Sequence, residues 1–245
     1  MADWHNVTIS WWANYYGNTA YYLSVAGWRN IMSAAGVEGT AGTLADFGIT
    51  GDGEYWSDST PVFVCDDYPR YGLCLRKPSS YNSTIVIIDM QSPTVSRITS
   101  FYGGFAEQTS KTTARVLVGE DYWVATCASG TDTGCIGMAS LKEAVANENS
   151  LCFFGRLKSG GEGHLFDLDR QIVADFAFTG ATLTQNDGSW YCEIVKLMAG
   201  NGHEYYVSEN VYQRFFDYAT SEKVVIMNGL KFTSACTSEL YFLVE

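Results

Sequence analysis

"SWWANYYGNTAYYLSVAGWRNIM" (Ser10–Met32) packs three tryptophans and four tyrosines into one stretch, and its reading decides the fold. Two short aromatic runs flank Gly17-Asn18, so the stretch reads as strand, Gly-Asn turn, strand, then a short helix. The aromatics occupy both parities of the two strands. A sheet with one wet face must therefore send roughly half of them inward and half outward. Trp11, Tyr22 and Trp28 are expected in the core, and Trp12, Tyr15 and Tyr16 form an outward aromatic contact surface.

Outward from this stretch the same grammar recurs. Period-2 alternation marks Val7 to Trp11, Pro61 to Cys65, Ile85 to Ile88, Ala114 to Val118, Tyr122 to Cys127, Ile172 to Phe178, Trp190 to Leu197, Lys223 to Met227 and Leu240 to Val244. Turn chemistry separates these runs at "GDGE", "YGGF", "KSGGEG", "QNDGSW", "AGNGH" and "MNGLK". Two further helical signals are short: a capping box at Ser140-Leu141-Lys142-Glu143, predicting a turn or two over Leu141 to Asn147, and "ENVYQRFFDYA" (Glu209 to Ala219). The opening stretch has an echo, since Tyr21 to Met32 aligns without a gap to Tyr205 to Phe216, and Trp56, Trp123 and Trp190 are evenly spaced. The expected fold is all-β: an antiparallel sandwich or barrel-like domain of short strands with one or two short helices. A small β-propeller-like repeat is the alternative. Residues 1–245 are read as a single β-rich domain built from weakly similar β-units.

Composition narrows the function classes. Charged residues make up only 17% of the chain, so its polar surface draws on Ser, Thr, Asn, Gly and Tyr, which suits sheets better than long helices. Fifteen basic against twenty-seven acidic residues give a net charge of −12, with no basic patch to follow a phosphate backbone. No nucleic-acid partner is expected. The apolar runs are strand length, which argues against a membrane-spanning helix, and "MADWHNVTISWW" lacks the basic and apolar regions of a secretory signal. Synthesis is expected to end in the cytoplasm. Seven cysteines without a C-x-x-C pair do not have zinc spacing; they are expected to be reduced and buried, although Cys65/Cys74 and Cys127/Cys135 flank hairpin turns where bridges are conceivable.

Catalytic chemistry finds little purchase. Histidine, the commonest general base, occurs only at His5, His164 and His203, and nucleophile elbows, P-loops and H-E-x-x-H helices are lacking. Acidic pairs such as Asp66-Asp67 and Asp167/Asp169 leave carboxylate chemistry open, as in glycan hydrolysis. No catalytic residue, metal ligand or cofactor is assigned. The most contact-like loop is "CDDYPRYG", where Tyr68, Arg70 and Tyr71 supply amphipathic area between turn residues.

Few lysines, Tyr-, Gly-, Ser- and Thr-rich strands, unpaired cysteines and the lack of a signal or catalytic motif together give the chain a general character that resembles structural proteins of tailed bacteriophage particles. The resemblance implies a non-enzymatic component of capsid, tail or fibre, localised to the virion after assembly in the host cytoplasm. It further implies a homo-oligomer that contacts other virion proteins and, as an attachment protein, a surface glycan. The alternatives are a carbohydrate-binding lectin-like module and a glycan hydrolase with paired carboxylates.

Overall fold

In a computed structural model the described residues are 2–16, 18–51, 56–66, 71–78, 83–90, 94–101, 112–119, 122–127, 135–144, 149–156, 163–166, 172–184, 190–207, 211–215, 224–234 and 240–244. The first part of the chain forms β1 (Asp3–Thr8), β2 (Trp11–Tyr16), β3 (Asn18–Leu23), α1 (Val25–Ala35), β4 (Gly39–Thr43), a 3-10 turn (Ala45–Phe47), β5 (Pro61–Cys65), β6 (Tyr71–Pro78), β7 (Ser83–Asp89) and β8 (Thr94–Phe101). Strands follow as β9 (Thr113–Val118), β10 (Tyr122–Cys127), β11 (Cys135–Glu143), β12 (Asn149–Arg156), β13 (Gly163–Phe166) and β14 (Ile172–Thr184). The last six are β15 (Trp190–Ala199), β16 (Glu204–Tyr206), β17 (Val211–Phe215), β18 (Val224–Met227), β19 (Leu230–Ser234) and β20 (Leu240–Leu243). The fold is all-β with antiparallel sheets and, among the described residues, one short α-helix, as the alternation and the Gly/Asn turns predict.

The chain divides into two compact units. One comprises His5–Val116 and Cys127–Gly134, the other Met1–Trp4, Leu117–Thr126 and Cys135–Glu245. A seven-stranded sheet of order β2-β3-β6-β5-β4, continued by β7 and β8, lies in the first. The thirteen-stranded sheet runs β1-β9-β10-β11-β12-β13-β14-β15-β17-β20-β19-β18, with β16 between β11 and β15.

In the first unit the opening stretch forms the hairpin and helix that its pattern predicts. Trp11 pairs with Leu23 and Trp12 with Tyr22 across β2 and β3. Ser24 then stops the strand: its side chain accepts the Gly27 N–H at 3.1 Å, supplying one of the bonds that a helix start lacks. Gly36, in the left-handed region at φ 67°, closes the other end. Gly27, Trp28, Ile31 and Met32 are buried, a single stripe on α1, and the Trp28 ring lies 6.4 Å from Phe63 of β5. Strand β5 is buried at every position from Pro61 to Cys65. Phe63 faces α1, whereas Val62 and Val64 face a cluster with Tyr22, Leu44, Ile49, Trp56 and Cys74. The segment after β4 covers this second face and is fastened by Leu44 N–H to Thr60 O (3.1 Å), Ala45 N–H to Asp58 O (2.9 Å) and Gly51 N–H to Asp58 Oδ1 (2.7 Å).

Alternate residues of the second unit feed two separate clusters. Phe242 and Val211 join Leu117, Val124, Ile194, Leu197 and Tyr205, whereas their neighbours Tyr241, Leu243 and Tyr212 join Tyr191, Val225 and Phe232. Aromatic edges lock the second cluster, with Tyr191–Tyr241 and Tyr212–Phe232 each 5.0 Å apart and nearly perpendicular.

The two further helices predicted from sequence are corrected. Leu141 to Glu143 end β11, and Val211 to Phe215 are β17; the rest of each predicted helix, apart from the turn residue Ala144, lies outside the described residues. Val211 and Tyr212 are adjacent apolar residues because they serve opposite faces of a strand, an arrangement that mimics one helical face. The echo of the opening stretch holds for the hairpin and ends there. β15 pairs with β16 as β2 pairs with β3, but Tyr22 is buried where its counterpart Tyr206 is exposed, and β17 replaces the helix. The evenly spaced Trp56, Trp123 and Trp190 occupy a loop, a buried strand position and an exposed strand position.

Two outcomes follow. A Cβ built on Gly39 would stand 2.3 Å from Val64 O and 2.6 Å from the Phe63 ring, so Gly39→Ala must push β4 off β5. It is expected to lower unfolding free energy in urea by about 1–3 kcal/mol. Asp46 accepts the Thr43 N–H at 2.7 Å and the Thr43 hydroxyl at 2.9 Å, and these bonds hold its carboxyl below the usual aspartate range. Its contribution is present above the unfolded-state pKa and is lost as pH falls through the lower folded-state value. Asp46→Asn should therefore reduce acid sensitivity in pH-dependent urea melts, and an unchanged acid limb contradicts the assignment.

Candidate functional site

The sequence-predicted contact residues meet different fates. Trp12 is half-buried; its ring centroid lies 5.5 Å from that of Tyr22, and it packs against the cluster of Leu44, Trp56 and Val64. It belongs to the margin of the core. Tyr15 and Tyr16 close β2 in register with Thr19 and Asn18, and their side chains lie outside the described residues. Tyr68 and Arg70 lie outside the described residues altogether, while Tyr71 opens β6 opposite Asp89 with its side chain likewise outside them. Trp12 shares a row with Tyr22 and Arg76, five positions along β6 from Tyr71. Among the core expectations, Tyr22 and Trp28 are buried and Trp11 is half-buried.

The cysteine geometry is equally specific. Cys65, Cys74, Cys152 and Cys192 are buried and form no disulfide. Cys74 joins the cluster of Val62 and Val64, whereas Cys65, one position after Val64, points to the opposite face of β5, so no bridge spans that hairpin. In the β10/β11 hairpin Cys135 is registered opposite Thr126, one place away from Cys127.

Solvent-facing apolar side chains gather elsewhere. Among the described residues the exposed large hydrophobics all lie in the second unit: Trp190 at 43%, Tyr206 at 52%, Val224 at 51%, Ile226 at 67% and Leu230. Three of the five belong to the β18–β19 hairpin. Its turn is Asn228-Gly229, with φ of 52° and 79°, the two positive values required by the tight two-residue turn that matches strand twist. Met227 is set opposite Leu230, Ile226 opposite Lys231, Val225 opposite Phe232 and Val224 opposite Thr233. Val225 and Phe232 face the aromatic cluster of Tyr191, Tyr212 and Tyr241, so alternation sends Val224 and Ile226 to the outer face. β18 ends the sheet order, with β19 as its only described neighbour.

Tyr206 forms a second exposed feature. It lies in register between Lys142 of β11 and Lys196 of β15, and Lys196 is ion-paired with Glu204. The adjoining turn is ordered by His203, whose N–H donates to Asn201 Oδ1 at 3.1 Å. Tyr122 and Tyr212 carry raised phenol pKa values, the first through burial and the second through burial followed by the nearby Glu193 carboxylate. Both phenols thus stay neutral at ordinary pH. Among the described residues, no three His, Cys, Asp or Glu side chains are grouped to hold a metal ion.

Alternation predicts the strand over Lys223 to Met227 and "MNGLK" its turn, but it does not show that Val224 and Ile226 face outward. The available signal was "VVIM", apolar on both parities in a strand followed by an Asn-Gly turn. No family model matches the chain, and neither the curated proteins nor the solved structures contain a match.

Thiol titration of protein denatured without reductant checks the cysteine geometry: at least four free thiols per chain are expected, Cys65 and Cys74 among them. A Cys65–Cys74 disulfide in the peptide map contradicts it.

Proposed function

We propose that this chain is a non-enzymatic structural component of a bacteriophage particle, part of a capsid, tail or fibre, and that it works by assembling with copies of itself and with other virion proteins. The observation that carries the reading is the concentration of exposed apolar side chains on one short hairpin at the end of a sheet, Val224, Ile226 and Leu230. Isolated apolar side chains are ordinary on a protein surface; Val224 and Ile226, two apart on the outer face of one strand, form an apolar strip that water disfavours, and Leu230 adds an exposed side chain on the other face of the same hairpin. The low charged fraction of 17% supports the same reading, because uncharged sheet surfaces suit permanent contacts between subunits.

A glycan-attachment role draws on a different feature. The exposed Trp190 and Tyr206 offer rings for sugar stacking, with two lysine positions in register beside Tyr206. This role would add to assembly.

Mass spectrometry of particles purified from producing cells through a density gradient tests the proposal. Peptides of this chain should co-sediment with the particles at a fixed ratio to the other components. Their confinement to the soluble fraction contradicts the structural reading. New reducing ends from a surface polysaccharide, abolished by replacing a single carboxylate, would replace it with a hydrolase.

A further inference from the structure

We infer that β18 is a self-pairing edge: two copies of the chain join their β18 strands antiparallel about a two-fold axis perpendicular to the sheet, with Val224 opposite Ile226 of the partner subunit. This inference rests on the assembly reading above and names its contact. The argument begins at the turn. A two-residue hairpin loop is flanked by a pair that exchanges both backbone hydrogen bonds, here Met227 and Leu230, and such pairs alternate along an antiparallel ladder. Met227 and Val225 therefore direct their N–H and C=O groups at β19. Ile226 and Val224 direct theirs away from it, to the side on which β18 has no described neighbour.

This edge, which has no neighbour among the described residues, complements itself. An antiparallel two-fold that opposes Val225 to its own copy opposes Val224 to Ile226 and Ile226 to Val224. All four outward-directed N–H and C=O groups of each strand then find partners, in two bonded pairs of two hydrogen bonds each. Residues directly opposite in a sheet share a face, so the same register gathers the exposed side chains of Val224 and Ile226 from both copies into one apolar strip. A slip of one residue would oppose Val225, which faces the buried aromatic cluster, to an outward residue and place the two inner faces on opposite sides. A slip of two residues keeps both patterns but pairs only half of the outward-directed groups of Val224 and Ile226, so the register that opposes Val224 to Ile226 makes the most hydrogen bonds.

Charge and area fix the character of the contact. Val224 to Met227 carry no charged side chain, so like charges do not oppose each other within the pairing, whereas the whole chain carries −12 and repels its copies at longer range. Salt should therefore strengthen the association. Four residues of strand edge bury far less than the ~1,600 Å² of a standard stable interface, so the contact is weak in dilute solution and gains strength where many copies are held together.

Sedimentation equilibrium of the full chain, from micromolar to about 1 mM and at low and high salt, tests the inference. The expected result is a reversible dimer favoured by concentration and by salt. Ile226→Lys and Val224→Lys, both at exposed positions, should each weaken dimerisation at least tenfold with an unchanged circular dichroism spectrum. Leu230→Lys is the control: it is exposed on the same hairpin but sits on β19, away from the outer edge of β18, and should leave dimerisation intact. Association that survives both edge variants overturns self-pairing while leaving the assembly reading in place. A chain that stays monomeric throughout overturns self-pairing, and its absence from the particle fraction would separately overturn the assembly reading.

Discussion

Two strands buried on both faces hold this protein together: β5 in the helix-bearing unit and β20 in the other. Every residue of β5 is buried because α1 covers the Phe63 face while Leu44, Ile49 and Trp56 cover the Val62 and Val64 face. In β20, Tyr241 and Leu243 serve one cluster and Phe242 the other. Each fully buried aliphatic or aromatic side chain contributes about 1.5–3 kcal/mol relative to exposure, so a few such strands outweigh many half-buried ones. Both arrangements need near-flush packing, which explains why Gly39 has no room for a Cβ against Val64 and Phe63.

A sheet whose centre is closed on both faces still has edges. The larger sheet runs from β20 through β19 to β18, and there the described ladder stops. The apolar character that suits the sheet interior continues to its last strand, where Val225 is buried and Val224 and Ile226 are exposed. Natural sheets usually blunt such an edge with lysine, proline or a bulge; here the edge residues are aliphatic and the turn is tight and regular. The same geometry that makes β18 a sound hairpin strand sets which of its backbone groups face outward. Folding and the proposed contact therefore share one cause, the Asn228-Gly229 turn.

The strand pattern was legible because alternation and Gly/Asn turns are local signals. Pro61 to Cys65, Tyr122 to Cys127 and Leu240 to Val244 were read as strands and form β5, β10 and β20, the last ending at Leu243. Helix α1 was legible as the short helix that follows the opening hairpin. The segment at Val211 to Phe215 misled because a strand buried on both faces presents adjacent apolar residues, which periodicity alone cannot separate from a helical stripe. The half-burial of Trp12 was not legible: Leu44, Ile49 and Trp56, from beyond β4, share the cluster it packs against, and no local signal announces such cover. The outward aliphatics of β18 were hidden in a run that looks like core, since which strand ends a sheet is decided by long-range pairing.

Residue-resolved amide hydrogen exchange across β18 tests the account most directly. In dilute solution the Val225 and Met227 amides, bonded to β19, should be protected while those of Val224 and Ile226 exchange quickly, an alternation set by the turn. At high concentration and salt the Val224 and Ile226 amides should slow towards their neighbours as the two edges pair. Uniform protection along β18 in dilute solution, or Val224 and Ile226 rates that ignore concentration, would contradict the account.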